Sequence, residues 1–266
     1  LIRKSPNEDN NDMYKEGSLS IVVTTNIKRD SRDIEKLDKL LPNIEPMASE
    51  ADDQCTNMPD GTAPSPPEKL SYSQRKGLQK KLVLKVGAPV LITVNDPKYK
   101  EDGLLNGSRG YVDSFQPKAD GSKKIQYIWV VFKDKNIGKK LRQDTHHLRE
   151  KFKPNNERAL PIKLATVRFS VDNGNLRYKS TQFPMILVYA ITAHKSQGDT
   201  LSEVIIDFTP DEGGKKPYIC EGSFYVALTR VRQSGDVYLA DFDKSYVRTN
   251  MEVANKIEAM QKFRQY

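Results

Sequence analysis

The chain contains few of the residues that build covalent or metal frameworks. Its 266 residues include only two cysteines, Cys55 and Cys220, and three histidines, His146, His147 and His194. The cysteines are far apart and form no C-x-x-C pair, which disfavours a disulfide framework or a cysteine-based zinc site. The histidines have no metal-ligand spacing with them. We therefore expect no metal ligands in this chain and a reducing, intracellular setting, in the nucleus or the cytoplasm.

Long apolar runs are also missing. No run approaches the roughly 20 residues of a membrane-spanning helix, and no secretory leader is visible, so we expect no membrane partner. The chain starts with Leu1 instead of Met, which suggests a piece of a longer protein. Hydrophobic residues make up 37% of the sequence, which is sufficient for a core in one large or two modest domains.

A glycine-rich loop for nucleotide phosphates is absent as well. Such a loop has the pattern G-x-x-x-x-G-K-[S/T], and its nearest imitation, at 213–216, has Thr209 where the first glycine is required. Residues 204–207 imitate an apolar strand that ends in a metal-binding aspartate, but Phe208 replaces the second acidic residue. We therefore expect that the chain by itself does not hydrolyse a nucleoside triphosphate.

The charge balance is basic. Lys and Arg number 43 against 35 Asp and Glu, a net charge of +8. Clustered basic side chains bind polyanions because they release counterions from phosphates. Many equally basic domains have no such role, so the excess permits a nucleic-acid partner without requiring one.

Apolar residues recur with two different periodicities along the chain. A short apolar run at 19–24 precedes a segment with Ile34, Leu37, Leu40 and Leu41 at helical spacing, which is the opening of an α/β unit. Short β-type runs separated by Gly and Asn turns then favour a small barrel, before the α/β rhythm returns. The predicted divisions are the start of an α/β domain (1–42), a Pro- and Gly-rich linker (43–81), a β-barrel insert (82–168) and the remainder of the α/β domain (169–266).

Within these divisions the pattern predicts individual elements. Strands are predicted at 82–84, 89–94, 110–112, 125–132, 163–169, 185–190, 204–208 and 236–242, and helices at 224–231 and near the C-terminus, where Val253, Ile257 and Met260 share one face. The basic stretch 133–153 is either a solvated loop, which we favour, or a phosphate-binding patch.

The segment AITAHKSQGDTL, residues 190–201, is the first that carries chemistry. It predicts a strand that ends in a hydroxyl, one helical turn and then a glycine. Thr192 is a good N-cap, which leaves backbone N–H groups free to meet an anion. His194 and Gln197 lie three residues apart and are neighbours on that turn. A capped polar turn without a ligand explains the same residues.

The second such segment is residues 222–232. Phe224, Ala227, Leu228 and Val231 fall at the spacing of a buried helical stripe, and Arg230 lies outside it. A guanidinium held by a rigid helix suits a charge clamp on a transferring phosphoryl group. From this helix alone, an ordinary surface arginine or ion pair is the simpler interpretation.

Taken together and in order, these strings resemble the superfamily-one DNA helicases, and in particular the Pif family and its RecD-like relatives. AITAHKSQGDTL and YVALTRVR, with the lead-in QFPMILVYA, resemble motifs five and six. SIVVTTN resembles motif four, and LVLKVGAPVLITVND with GLLNGSRGYV resembles the family's Src-homology-type β-barrel insert. The match extends over nearly the whole chain. It implies an α/β fold, in which a RecA-like parallel-sheet motor domain is interrupted by that barrel.

The resemblance also implies roles for individual residues. Arg230 matches the arginine finger that reaches the γ-phosphate and stabilises the transition state. Gln197 and Gly198 match the nucleotide-facing end of motif five. The residues that match DNA-facing positions, or that lie where the DNA path is expected, are Thr25, Asn26, Asn106, Arg109, Thr192 and His194. A tight Asn-Gly turn explains Asn106 equally well.

What the resemblance implies for function is the C-terminal half of an ATP-dependent helicase that moves 5′ to 3′ on single-stranded DNA. ATP and Mg²⁺ would be held mainly by an N-terminal RecA-like domain of the same protein, which is then a partner of this half. Alternatives with similar motifs are a RecD-like nuclease subunit, a conjugative relaxase helicase domain and, less favoured, a viral RNA helicase. A non-enzymatic nucleic-acid-binding module is the alternative outside the motor class.

Overall fold

A computed structural model describes most of the chain. The described residues are 3–4, 19–23, 25–58, 65–66, 70, 73–122, 124–198, 200–210, 214, 221–247, 251–252 and 255. The chain divides into two compact units. We call them the parallel-sheet unit (Leu1–Asp33 and Tyr189–Tyr266) and the antiparallel unit (Ile34–Val188).

The described elements alternate between strands and short helices. The strands are β1 (Arg3–Lys4), β2 (Leu19–Val23), β3 (Met47–Glu50), β4 (Asp52–Cys55), β5 (Lys81–Leu84), β6 (Pro89–Ile92), β7 (Arg109–Pro117), β8 (Ile125–Phe132), β9 (Leu160–Ile162), β10 (Ala165–Val171), β11 (Leu176–Gln182), β12 (Met185–Leu187), β13 (Ala190–Thr192), β14 (Glu203–Asp207) and β15 (Val237–Ala240). The α-helices are α1 (Asn26–Leu40), α2 (Lys139–Asp144), α3 (His146–Phe152) and α4 (Ser223–Leu228).

A five-stranded parallel sheet forms the first unit. Its strand order is β1-β15-β14-β2-β13, and every pair is parallel. The central strands are buried on both faces, as their continuous Val and Ile runs predict. The register places the last residues of four strands in one row: Thr192, Val23, Asp207 and Ala240. The loops that follow these strands therefore start from one edge of the sheet, where open α/β sheets bind ligands.

Helix α1 follows β2 directly. The Thr25 hydroxyl accepts the Lys28 N–H at 3.2 Å, so Thr25 caps the first turn. Leu37 is fully buried, as predicted, whereas Ile34 is 40% exposed. The predicted apolar stripe is thus narrower than expected, because buried charged residues occupy the earlier turns of the helix.

The antiparallel unit contains three sheets. A five-stranded sheet has the order β12-β6-β7-β8-β9, and smaller sheets are formed by β10-β11-β4 and β3-β5. Trp129 on β8 is fully buried, donates its indole N–H to Gln116 and stacks on Phe152 of α3. The predicted β-rich character of this region is confirmed.

Two segments that were predicted to be irregular contain strands or helices. The predicted linker 43–81 includes β3 and β4, which pair with β5 and β11. The basic stretch 133–153 forms α2 and α3 instead of an irregular loop. Both expectations of irregular structure were wrong, because the partners that stabilise these elements lie far away in sequence.

The predicted strand 185–190 is divided between two sheets. Its first half is β12, which pairs with β6 in the antiparallel unit, and its last residue begins β13, which pairs with β2 in the parallel sheet. The division between the units falls at Val188 and Tyr189, not at the predicted boundary near residue 168. The predicted C-terminal helix face of Val253, Ile257 and Met260 lies outside the described residues.

Candidate functional site at the carboxyl edge of the parallel sheet

The turn after β13 has the geometry that its sequence predicts. The Thr192 carbonyl accepts the N–H groups of Lys195 at 2.9 Å and Ser196 at 3.0 Å, so one helical turn follows the strand. Ser196 is fully buried and its hydroxyl donates to the Ala193 carbonyl at 2.7 Å. Gly198 ends the turn with φ of +91°, in the left-handed region that favours glycine.

This strand-end turn presents only some of its predicted site residues to solvent. His194, Gln197 and Gly198 are exposed. Thr192 is only 8% exposed, because it is the last residue of a buried strand. A ligand above the turn would therefore meet the imidazole and the amide first.

Arg230 lies just beyond a short helix. Helix α4 ends at Leu228, so the expectation that a rigid helix carries the guanidinium was wrong, and Arg230 belongs to the turn that follows. Its Nε–H donates to the Val226 carbonyl at 2.8 Å, and Nη2 donates to the Thr229 hydroxyl at 2.9 Å. These local bonds fix the side chain without a helix around it.

The turn that carries Arg230 is joined to the strand-end turn. The Leu201 N–H donates to the Arg230 carbonyl at 2.8 Å. Arg230 Nη1 lies 3.5 Å from the Ser196 carbonyl, a long hydrogen bond. Two segments about thirty residues apart, each singled out from the sequence, therefore form one cluster.

Aromatic packing stabilises helix α4. Phe208, which follows β14, is 1% exposed and lies 5.7 Å from the rings of Phe224 and Phe242. Phe224 and Phe242 stack at 5.4 Å. Ala227 is buried as predicted, whereas Phe224 is half-buried and contributes to this three-ring cluster.

The residues that resemble motif four lie at the same edge of the parallel sheet as the turn after β13. Strand β2 is the neighbour of β13, and Val23 pairs with Thr192. Thr25 uses its hydroxyl to cap α1, and Asn26 is the first helical residue. The side chain of Asn26 lies outside the described part of the structure.

A buried charge cluster at this edge was not recognised from the sequence. Asp207, 3% exposed, ends β14 and forms ion pairs with Lys28 at 3.0 Å and Arg32 at 2.8 Å. Thr209 donates both its N–H and its hydroxyl to the same carboxylate. Burial raises the pKa of Asp207, but the Thr209 hydrogen bonds and the two cations outweigh it and lower the pKa. The available signal was the aspartate at the end of an apolar strand, which we interpreted as an imitation of a metal site.

Asp33, which lies on helix α1 with Lys28 and Arg32, has a pKa that is shifted in the opposite direction. Its carboxyl oxygen accepts the Ala190 N–H at 2.7 Å, and the residue is 2% exposed. Burial raises its pKa from 3.8 to about 8, although the hydrogen bond from Ala190 and the charge of Arg29 oppose that shift. Asp33 therefore holds the start of β13 mainly as a neutral carboxylic acid at pH 7.

The remaining predicted DNA-path residues lie in the antiparallel unit. Asn106 and Gly107 lie in a turn at the end of the long connection between β6 and β7, where Gly107 has φ of +102° and donates its N–H to the Ile92 carbonyl at 2.8 Å. The Asn106 N–H donates to the Asn95 side chain at 2.5 Å. Arg109 is the first residue of β7 and is half-buried. A tight turn thus accounts for the Asn-Gly pair.

Metal ligands and membrane spans do not occur among the described residues. Within that part of the chain, no group of three or more His, Cys, Asp or Glu side chains could hold a metal ion. Among the same residues, no helix has the length and apolar character needed to cross a bilayer.

The fold and the arrangement of the site residues define the class of the protein. The turn that follows β13 carries an exposed imidazole and an exposed amide, and it contacts the turn that positions the Arg230 guanidinium. That arrangement is typical of α/β domains that bind phosphorylated ligands at the carboxyl ends of their strands.

Comparison with known proteins identifies homologues. No family model matches the chain. The ATP-dependent DNA helicase PIF1 of Danio rerio is 30% identical over 172 residues, which are 65% of this chain and 21% of that protein. The chain is thus a homologue of the Pif1 helicases, and the resemblance seen in the sequence motifs is confirmed.

Solved structures share the fold. Pif1 helicase from Candida albicans has a TM-score of 0.64 and 20% identity over 94% of this chain and 51% of its own. Pif1 helicase from Bacteroides, in complex with ADP-AlF3 and ssDNA, has a TM-score of 0.59 and 21% identity over 93% of this chain and 46% of its own. The chain therefore spans about half of these structures and about a fifth of the curated relative.

Proposed function

We propose that the chain is the C-terminal half of an ATP-dependent DNA helicase that moves 5′ to 3′ on single-stranded DNA. Homologues named ATP-dependent DNA helicases and a solved relative with ADP-AlF3 and ssDNA support this proposal. The single observation that carries it is the contact between the Arg230 turn and the strand-end turn of Thr192 to Gly198.

Arg230 is the proposed arginine finger. The Val226 carbonyl and the Thr229 hydroxyl accept from the guanidinium at 2.8 and 2.9 Å, and these bonds orient it. A guanidinium held in this way can bind the γ-phosphate of ATP and stabilise the charge that develops during phosphoryl transfer. Gln197 and Gly198, exposed at the end of the neighbouring turn, lie on the proposed nucleotide side.

The DNA side is proposed to be the remainder of the same edge. His194 is exposed on the strand-end turn and can donate to a phosphate of the strand. Thr25 and Asn26 start the neighbouring helix, and the first backbone N–H groups of a helix have no acceptor within it. Thr192 is buried and contributes mainly by ending β13 where these loops begin.

An N-terminal RecA-like domain of the same protein is the proposed partner. It would supply the phosphate-binding loop and the carboxylates for Mg²⁺, because neither pattern occurs in this sequence. When bound, Mg²⁺ would neutralise charge on the triphosphate, while Arg230 contributes from the opposite side. The five-stranded antiparallel sheet is proposed to be the counterpart of the family's Src-homology-type barrel, with Asn106 and Arg109 beside the DNA path.

The test is the substitution Arg230→Ala in the protein that joins this chain to the phosphate-binding domain. DNA-stimulated ATP hydrolysis should fall by roughly 10³- to 10⁵-fold, the contribution of comparable arginine fingers. Binding of a dT oligonucleotide should be almost unchanged. Turnover is measured by phosphate release, with the 266-residue chain alone as the inactive blank.

Arg232→Ala is the matched control. Arg232 lies two residues further along, is exposed and matches no catalytic position. Its substitution should change turnover by less than about twofold, since an exposed side chain contributes little. Equal losses in both variants would contradict the assignment of Arg230.

A further inference from the structure

A cavity in the antiparallel unit lies outside the site described above. It has a volume of about 470 Å³ and is lined by residues that follow β6, by β9 and β10, and by helices α2 and α3. This volume falls within the roughly 300–1,000 Å³ of typical small-ligand pockets. We call it the side cavity.

The walls of the side cavity are mostly apolar, with a few polar groups. Leu104, Leu148, Ile162 and Pro184 provide flat hydrocarbon surface, and Tyr127 adds a half-buried ring. The polar groups on the lining include Asn95, Thr145 and Thr166. Apolar and aromatic walls with a few amides and hydroxyls suit a planar heterocycle, whose faces are apolar and whose edges form hydrogen bonds.

Basic side chains line this cavity and occur on the two helices that contribute to its wall. Lys163 lines it with a side chain that is 62% exposed, and His147 lines it from α3. The basic residues of α2 and α3 include exposed Lys139, Lys140 and Lys151. The lysines among these residues can attract a strand of phosphates.

The acidic groups at the rim are already engaged by lysines. Asp96 pairs with Lys163 at 3.2 Å, and Asp144 pairs with Lys98 at 2.8 Å. The carboxylates therefore do not leave the rim negative. An uncharged apolar peptide would make no use of the surrounding lysines, whereas a polyanion with planar apolar groups would use both features.

The side cavity also adjoins the turn that was assigned to the DNA path from the sequence. Asn95 lines the cavity, and its side-chain oxygen accepts the Asn106 N–H at 2.5 Å. A strand that follows this turn would pass the mouth of the cavity.

We propose that the side cavity binds a base that is turned out of single-stranded DNA, while Lys163 and the lysines of α2 and α3 bind the flanking phosphates. This proposal rests on the DNA-binding part of the proposed function. The base inserts by its apolar faces, so the site is tolerant of sequence.

The experiment compares two oligonucleotides that carry equal phosphate charge. Fluorescence anisotropy measures binding of the 266-residue chain to a dT oligomer and to an abasic strand of the same length. The unsubstituted chain should bind the dT strand about tenfold more tightly, within the range expected for one stacked base. This measurement needs no variant and therefore does not depend on the folding of one.

Thr166→Trp assigns that difference to the side cavity. Thr166 is exposed and lines the cavity from β10, so the larger side chain fills it. Ser170→Trp is the matched control, because Ser170 is exposed on the same face of the same strand and does not line the cavity. Thr166→Trp should weaken dT binding about tenfold and leave abasic binding unchanged, whereas Ser170→Trp should keep the full difference.

Each other outcome contradicts a specific claim. Equal binding of the dT and abasic strands by the unsubstituted chain overturns the base site. Equal losses for Thr166→Trp and Ser170→Trp, or equal losses on both strands, overturn it as well. If dT binding is weakened by His194→Ala but not by Thr166→Trp, only the side cavity is refuted and the proposed function stands. If the chain binds neither strand, both proposals fail.

Discussion

Two buried aspartates lie near opposite ends of the parallel sheet, and their pKa values are shifted in opposite directions. Asp33 contacts β13 where that strand begins, and Asp207 ends β14 at the carboxyl edge. Both are at most 3% exposed, and both contact or belong to helix α1. Burial raises the pKa of each carboxyl, yet the pKa of Asp33 reaches about 8 while that of Asp207 is lowered.

The difference lies in the partners that one helix provides. Lys28 and Arg32 are four residues apart, so they lie on one face of α1 and reach the same carboxylate. Asp33 is the next residue, about 100° around the helix, where its carboxyl accepts a hydrogen bond from the backbone N–H of Ala190. Burial alone therefore does not determine the charge of a carboxyl, and the identity of its partners does.

The largest loss of stability from a single substitution at one pH is expected from removal of the Asp207 carboxylate. Asp207→Ala removes the carboxylate that pairs with the buried Lys28 ammonium, which is 4% exposed. A buried charge that loses its partner typically destabilises a protein by about 3–5 kcal/mol. Urea unfolding followed by circular dichroism should show a correspondingly lower midpoint.

A double variant provides the control for that result. Lys28→Met combined with Asp207→Ala removes both charges and should recover part of the lost stability. If Asp207→Ala alone were as stable as the unsubstituted chain, the buried ion pair would be refuted.

A pH-dependent effect is expected from Asp33. Because its folded pKa is raised, the folded chain keeps a proton that the unfolded chain releases above pH 3.8. The stabilisation is complete below about pH 4 and is lost as the pH rises to about 8, by at most about 1.4 kcal/mol per pH unit. Asp33→Asn should remove this decline, and urea unfolding at several pH values between about 4 and 9 measures it.

The raised pKa of Asp33 would be contradicted if the stabilities of the unsubstituted chain and of Asp33→Asn changed with pH in parallel. Other titrating residues contribute equally to the pH dependence of both chains. Any difference between the two slopes of stability against pH therefore comes from Asp33. Parallel profiles between about pH 5 and 8 would mean that Asp33 is ionised in the folded as well as in the unfolded chain.

The smallest effect is expected at the start of α1. Thr25→Ala removes the cap on the Lys28 N–H and should reduce stability by about 1 kcal/mol. Lys28 lies in the capped turn and Asp33 further along the helix, so the change should affect the Asp207 ion pair more than the Asp33 contact. Thr25→Ser retains the hydroxyl and should restore most of the loss. Hydrogen exchange of the Lys28 and Asp33 amides distinguishes the two turns.

The elements predicted correctly are those whose signal is local. Strand β8, Ile125–Phe132, has the predicted bounds, because its run of β-branched and aromatic residues is continuous and long. The strand-end turn after β13 was also predicted, since Thr192 and Gly198 mark its two ends. The chemistry proposed for the site also rests on short local motifs and stays a prediction.

The elements missed from the sequence depend on distant residues. Helix α2 begins at Lys139, and its first N–H groups are accepted by the carboxylate of Asp102, at 3.0 Å from both Lys140 and Leu141. Strand β4 pairs with β11, with Cys55 opposite Tyr178. Local periodicity cannot report a cap or a pairing that comes from another part of the chain. The Asp207 cluster was missed for the same reason, since its cations belong to α1.

The apolar run from Met185 to Thr192 serves both units, and this has a consequence for protein engineering. Only Val188 and Tyr189 separate β12 from β13, so hydrophobicity does not mark where one unit ends. A shortened chain meant to isolate the antiparallel unit must retain Leu187 and stop before Ala190. A cut near residue 168 would instead divide β10 and remove β11 and β12, and would expose the backbone edges of β4 and β6.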